Sequence, residues 1–200
     1  MLELLGAERK SLLLSFSKMK KLDFLILLFD RMLPELRSYF LASARDLGVI
    51  EKARANFWRL LSDDQISNSW EALREEILNA LPDSEHLGTV ASAFALNAGL
   101  VAADIAGLAE DGKDSHVLQA IECSHDSVDA KTRSEMRRFV YDPALEEAAR
   151  TSPLLYRERQ REEDDVAFLG SLPEAPWPQE VISMLRDRAQ AQDSLLGTVR

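Results

Sequence analysis

Along its length the chain spaces its apolar residues by three and four, the period of a helix face, and no useful stretch alternates at two. Leu22, Leu25, Ile26, Phe29, Met32, Leu33, Leu36 and Phe40 form one long stripe. Pro34 falls inside it. Proline lacks an N–H and crowds the carbonyl four residues earlier, which predicts a kink or break near Asp30–Leu33. Gly48 is expected to stop that element. Ile50, Ala53, Phe57, Leu60 and Leu61 then predict a second helix. Ser62 to Gln65 has the form of a capping box, and Ile66, Trp70, Leu73, Ile77 and Leu81 follow on one face. Pro82 and Asp83 end that helix. Val117, Leu118, Ile121, His125 and Val128 predict another, extending through Met136 to Phe139. Tyr141–Pro143 and Ser152–Pro153 place proline at helix starts. The stretch 154–172 predicts a highly charged helix, and Val181, Ile182, Leu185 and Ala189 a last one, with a frayed tail after Gln192.

The segment from Leu87 to Leu108, closed by Gly112, differs from the rest. Ala91, Ala95, Gly99, Ala103 and Gly107 recur every fourth residue and make a ridge poor in side chains. Such a ridge lets a second helix approach closely, at a crossing of about −50°. Val90, Phe94, Val101, Ile105 and Leu108 occupy the other arc, so the helix is apolar nearly all round and belongs in the middle of a bundle. The fold class expected is all-α: a single domain over residues 1–200, of about eight helices around this buried small-residue helix. Within it, 1–18 reads as an N-terminal extension, 173–178 as a proline-rich connector and 179–195 as the C-terminal helix.

Composition narrows the function classes. With 24 Lys and Arg against 34 Asp and Glu, the net charge is −10 and no basic block is present. Nucleic acid is an unsuitable partner for such a surface, because binding depends on neutralising phosphates. The longest purely apolar run near the N-terminus, Phe24–Phe29, is six residues. A membrane span needs about 20. No leader pattern precedes it, so a cytoplasmic location is expected. A single cysteine, Cys123, excludes an internal disulfide.

Candidate chemistry is sparse. Asn97 and Asp104 share one face of the central helix, seven residues apart. Buried, they are either a satisfied structural pair or the polar end of a small-ligand pocket. Glu122 and His125 have the Glu-x-x-His spacing that faces two irons in ferritin-like bundles. The chain's other histidines, His86 and His116, have no glutamate three residues before them, so a di-iron site is excluded. A single metal on Glu122, His125 and Asp129 is the remaining metal reading. Cys123 reads as core filler, with a nucleophile as the alternative. No catalytic residue is assigned and no cofactor is expected. Arg157, Arg159 and Arg161, interleaved with Glu158 and followed by Glu162–Asp165, read as a solvated helix face or a docking surface. Lys18, Lys20 and Lys21 lie near Leu12–Leu14 and Phe16, and those apolar residues read as cover for one end of the bundle, with a membrane-surface helix as the alternative.

Asp30–Pro34, an acidic residue before Arg-Met-Leu-Pro at the end of an apolar run, resembles the YjaG-like bacterial family of unknown function. Leu96–Ala98, Ala120–Ser124 and Asp142–Glu147 agree in order, so the resemblance spans about residues 19–172. The sequence departs where that family can carry an acid, at Asn97, and after Glu147, where Ala148–Thr151 replace aromatic residues. The resemblance implies an all-helical cytosolic bacterial protein, with no catalytic residues to carry over and an association with histidine-kinase signalling. Three functions follow as expectations. The first is a non-enzymatic protein-binding module, steered by its acidic surface toward basic partners. The second is small-ligand or enzyme chemistry around Asn97 and Asp104. The third is a homo-oligomer joined through exposed apolar residues such as Trp177.

Overall fold

A computed structural model describes residues 5–62, 69–82, 89–135 and 151–191. Its described residues form eight helices and no strand: α1 (Ala7–Ser15), α2 (Lys18–Ala42), α3 (Gly48–Leu60), α4 (Trp70–Ala80), α5 (Val90–Asp111), α6 (Asp114–Glu135), α7 (Pro153–Ser171) and α8 (Gln179–Ala191). The expected all-α bundle is what the chain folds into.

Two long helices make its centre. α5 packs most extensively against α2, α6 and α4. As its composition requires, it is buried from Val101 through Ala109 without interruption. Thr89 and Ser92 cap its start reciprocally, and Gly112, left-handed at φ 72°, sends its N–H to Leu108 O at 3.0 Å. The small-residue ridge serves two close approaches. An added Cβ at Gly99 would lie 2.0 Å from the Leu81 side chain, and one at Gly107 2.4 Å from the His116 ring. By length and composition alone α5 could cross a membrane, but most of it is buried inside the bundle.

α2 is the other axis, buried on every side from Lys20 to Phe29. It runs unbroken through Pro34, so the predicted interruption is corrected. Leu33 and Leu36 are both buried on either side of the proline, and Asp30 and Arg31 are tied to other helices one turn before it. Tertiary anchoring there outweighs one lost helical hydrogen bond. Gly48 does not stop α2. The helix ends at Ala42, where Arg45 N bonds Phe40 O at 2.9 Å and Ala44 turns left-handed at φ 52°. Gly48 instead begins α3, its N–H held by Asp46 Oδ1 at 2.8 Å. Ser69, accepting from Ala72 N at 3.3 Å, caps α4. Most of the capping box expected at Ser62–Gln65, Ile66, the extension from Met136 to Phe139, the turn at Tyr141–Pro143, the remainder of the 179–195 helix beyond Ala191 and the tail after Gln192 lie outside the described residues. Ser152 and Pro153 do open α7.

One apolar cluster runs from Leu5 and Leu13 through α2 and α5 to Leu185 and Ala189. The N-terminal stretch therefore contributes to the same core as the C-terminal helix. Its lysines tie helices together: Lys18 Nζ donates to Ala109 O at 2.5 Å, Lys20 Nζ to Leu172 O at 2.7 Å and Lys21 Nζ to Asp114 at 2.7 Å. Trp177 is not exposed. It is 5% accessible, donates from Nε1 to Pro173 O at 3.0 Å and belongs to the core cluster, which corrects its reading as an association face. The connector folds back on the bundle because its indole is worth burying.

Alanine at an exposed helical glycine gains about 1 kcal/mol from propensity. Gly107→Ala should instead destabilise, by about 1–3 kcal/mol, because the methyl meets the His116 ring. Urea unfolding checks this, and a variant more stable than the parent would show that the ring yields freely.

Candidate functional site

Asp30 and Arg31, adjacent on α2, lead to two different polar centres. Arg31 turns inward. Its guanidinium is completely enclosed, pairs with Asp165 and lies 3.8 Å from Glu158 Oε2. Both acids come from α7. Glu158 also accepts from Arg157 Nε at 2.8 Å and Arg161 Nη1 at 2.7 Å, and Asp165 from Arg188 Nε of α8 at 2.7 Å. Glu162, on the same face, meets His125 Nε2 of α6 at 3.0 Å. The run 157–165 is therefore not a solvated helix face throughout. Glu158, Glu162 and Asp165 are buried, and Arg159, Gln160 and Asp164 remain outside.

Burial resists the charge on Arg31, but Asp165 and Glu158 outweigh it and push the guanidinium pKa up. Burial raises Glu158 against the pull of Arg31, Arg161 and Arg157. Asp23, about two helical turns before Arg31 on α2, is fully enclosed, and among the described residues neither carboxyl oxygen has a hydrogen-bond partner. Burial and then the charge of Asp165 push its pKa well above the usual carboxylate range, opposed by Arg188. This assembly ties α2, α6, α7 and α8 together, and its chemistry is that of an internal brace.

The metal reading separates in space. His125 is buried against Glu162, Glu122 is exposed, and Asp129 accepts from Arg133 Nε at 2.8 Å. Among the described residues no three His, Cys, Asp or Glu side chains gather as a metal-binding group.

The two polar residues of α5 also part company. Asn97, half-buried, donates to Ser127 Oγ at 3.0 Å. Asp104 is buried and meets His116 Nδ1 at 2.9 Å, while His116 Nε2 lies 3.3 Å from Asp111. Burial raises the pKa of Asp104, and its hydrogen bond to His116 pulls the other way. Asp111 is lowered to about 2 by the side chain and backbone N–H of Lys113. The imidazole is thus clamped between two carboxylates in the space left by Gly107, at the edge of a cleft of about 370 Å³ that Arg74, Lys113 and Gln119 also line. Cys123 nearby is half-buried, and burial followed by the charges of Asp104, Asp126 and Glu122 pushes its thiol up to about 12. A thiol kept protonated in this way fits the reading of Cys123 as core filler.

Asp30 faces the other way, into the groove between α2 and α3. Its carboxylate accepts from Arg54 Nε and Nη2, both at 2.7 Å, and from Trp58 Nε1 at 3.2 Å. The hydrogen bond to Asp30 also raises the pKa of Arg54. Arg186 of α8 lies over the Trp58 ring, 5.7 Å from its centroid. Together with Ala55, Arg59 and Gln190 these residues line a cleft of about 330 Å³. Among the described residues its lining has three arginines and no carboxylate, in a chain of net charge −10. Among the described residues Arg186 has no carboxylate partner.

Sequence reasoning missed both centres. One signal for the inner one was present: Leu154, Leu155, Val166 and Leu169 make an apolar face on α7, and Glu158, Glu162 and Asp165 interrupt that same face. Acids inside an apolar stripe have to find buried partners. For the cleft there was no comparable sign, since Arg186 comes from a helix far along the chain from the one that carries Arg54 and Trp58.

Arg31→Met should cost about 3–5 kcal/mol in urea unfolding, because it removes the enclosed cation between Asp165 and Glu158 and leaves the arginines nearer the surface to meet them. A loss below about 1 kcal/mol would mean that the brace is dispensable. Asp23 gives a pH test. Its folded pKa lies above its unfolded value, so the folded state keeps a proton that the unfolded state releases above about pH 4. That contribution is complete at lower pH and is lost as pH rises toward the folded pKa. Asp23→Asn should gain stability relative to the parent as pH rises, by up to about 1.4 kcal/mol per pH unit. Parallel stability curves from pH 5 to pH 8 would contradict it.

Comparison with known proteins gives a fold and little else. No family model matches the sequence, and no curated protein matches it. Among solved structures, a DUF416 family protein from Shewanella baltica OS155 superposes with a TM-score of 0.78 over 96% of this chain and 98% of that one. The two sequences are 16% identical, so the likeness shows that this chain shares that protein's helical fold.

Proposed function

We propose that this chain is a non-enzymatic binding module that holds an acidic segment of a protein partner in the arginine-lined cleft. The observation that carries this reading is Arg186, stacked on Trp58 without a carboxylate partner among the described residues, beside Arg54 braced by Asp30. The cleft reverses the expected polarity of docking: the overall charge is acidic, but this arginine-lined concavity suits an acidic ligand. The polar groups of the interior support the same assignment, since Asn97, Asp104, His125 and Glu162 are engaged with one another's helices. Membership of a bacterial family of unknown function, a cytoplasmic location and a place in histidine-kinase signalling complete the proposal. They rest on the YjaG-like resemblance and on the fold shared with the DUF416 protein.

The test is capture from bacterial cytosol by the tagged chain and by Arg186→Glu, read by mass spectrometry. The reading expects a protein retained by the parent at low salt, reduced at least about tenfold by the variant, and released as salt screens the contact. Equal recovery by both, insensitive to salt, would overturn it.

A further inference from the structure

We infer that the cleft between α3 and α8 recognises a phosphoryl group, as a phosphomonoester dianion. This rests on the reading of the cleft as a binding site and specifies its ligand. Arg54 and Arg186 come from different helices and line one concavity. Each is held from behind: Arg54 by the two hydrogen bonds it donates to Asp30, whose side chain is 4% exposed, and Arg186 by the Trp58 ring. Trp58 is itself fixed by Asp30, so one buried carboxylate orients both walls. Pre-oriented guanidinium groups lose little freedom on binding and present planar N–H edges suited to oxyanions.

The number of edges favours phosphoryl over carboxylate. A carboxylate has two oxygens and is satisfied by one guanidinium edge, as Asp30 is by the Nε and Nη2 of Arg54. That leaves the remaining edge of Arg54 and the whole of Arg186 for the ligand. A phosphoryl group offers three terminal oxygens and close to two charges at neutral pH, so it can accept from both arginines at once. The cleft, at about 330 Å³, also holds the organic part of an ester beside Ala55 and the aliphatic stem of Gln190.

Calorimetric titration of the full chain with phenyl phosphate, inorganic phosphate and benzoate tests the inference. Phenyl phosphate should bind more tightly than benzoate, and its affinity should rise between pH 5 and pH 7.5 as the second proton leaves near pH 6. Arg186→Gln should weaken it at least tenfold, with Arg186→Lys intermediate because the charge stays and the fork is lost. Both variants should keep the parental melting temperature, since Arg186 is half-buried at the surface of α8. Arg59→Gln, at an exposed position lining the same cleft, gives an independent reduction if α8 is disturbed. Equal binding of benzoate, binding unchanged by both Arg186→Gln and Arg59→Gln, or no heat with phenyl phosphate would each overturn the inference. A phosphoserine peptide binding more tightly than phenyl phosphate places the group on a protein, and the reverse order places it on a small ester. Phenyl phosphate binding without any captured protein refutes the partner reading alone. A captured partner that survives phosphatase treatment, with no phenyl phosphate binding, refutes the phosphoryl inference alone.

Discussion

The packing of the last two helices onto the bundle depends on Arg31. α7 turns Glu158, Glu162 and Asp165 inward, and α8 reaches Asp165 through Arg188. Taking that much negative charge out of water is costly unless cations meet it in good geometry. The enclosed guanidinium supplies one, and Arg157, Arg161 and Arg188 supply others to the same acids. Hydrophobic residues of equal volume could hold these helices at least as tightly. What charges add is direction: only one rotation of α7 brings Glu158 and Asp165 to Arg31 and Glu162 to His125, so the brace sets how α7 sits as well as that it sits.

The same turn of α2 serves the surface. Asp30 and Arg31 are neighbours in sequence, and roughly a hundred degrees of helical rotation sends one to the cleft and the other to the brace. Pro34 follows one turn later, within a helix that stays intact because both residues before it are held by other helices. The two centres thus share one short piece of α2 backbone. Arg188, which bonds Asp165 in the brace, and Arg186, which lies on Trp58 in the cleft, are likewise two residues apart on α8.

α5 contributes by what it lacks. Without side chains at Gly99 and Gly107, Leu81 and His116 come to within contact of its backbone. The His116 ring then reaches Asp104 and Asp111 together, so a polar residue in the most apolar helix acquires its partner from the neighbouring helix. Asn97, on the same arc, finds Ser127 instead. Sharing a helix face placed both residues toward α6 but did not bring them to one site.

What the sequence determined by itself is the class of structure: the spacing of apolar residues selects helices, Gly112 and Ser152–Pro153 set two of their ends, and the uniform apolarity of 90–108 puts that segment at the centre. These are local properties, governed by backbone geometry and by water's exclusion of apolar surface along a single helix. Tertiary structure alone decided that α2 passes through Pro34, that Trp177 is covered, that Glu162 belongs with His125 rather than with solvent, and that Arg54 and Arg186 share a cleft. Each of those outcomes is a contact between residues distant in the chain. Periodicity tells which side of a helix is buried, whereas a charge's fate depends on what the opposing helix brings to meet it.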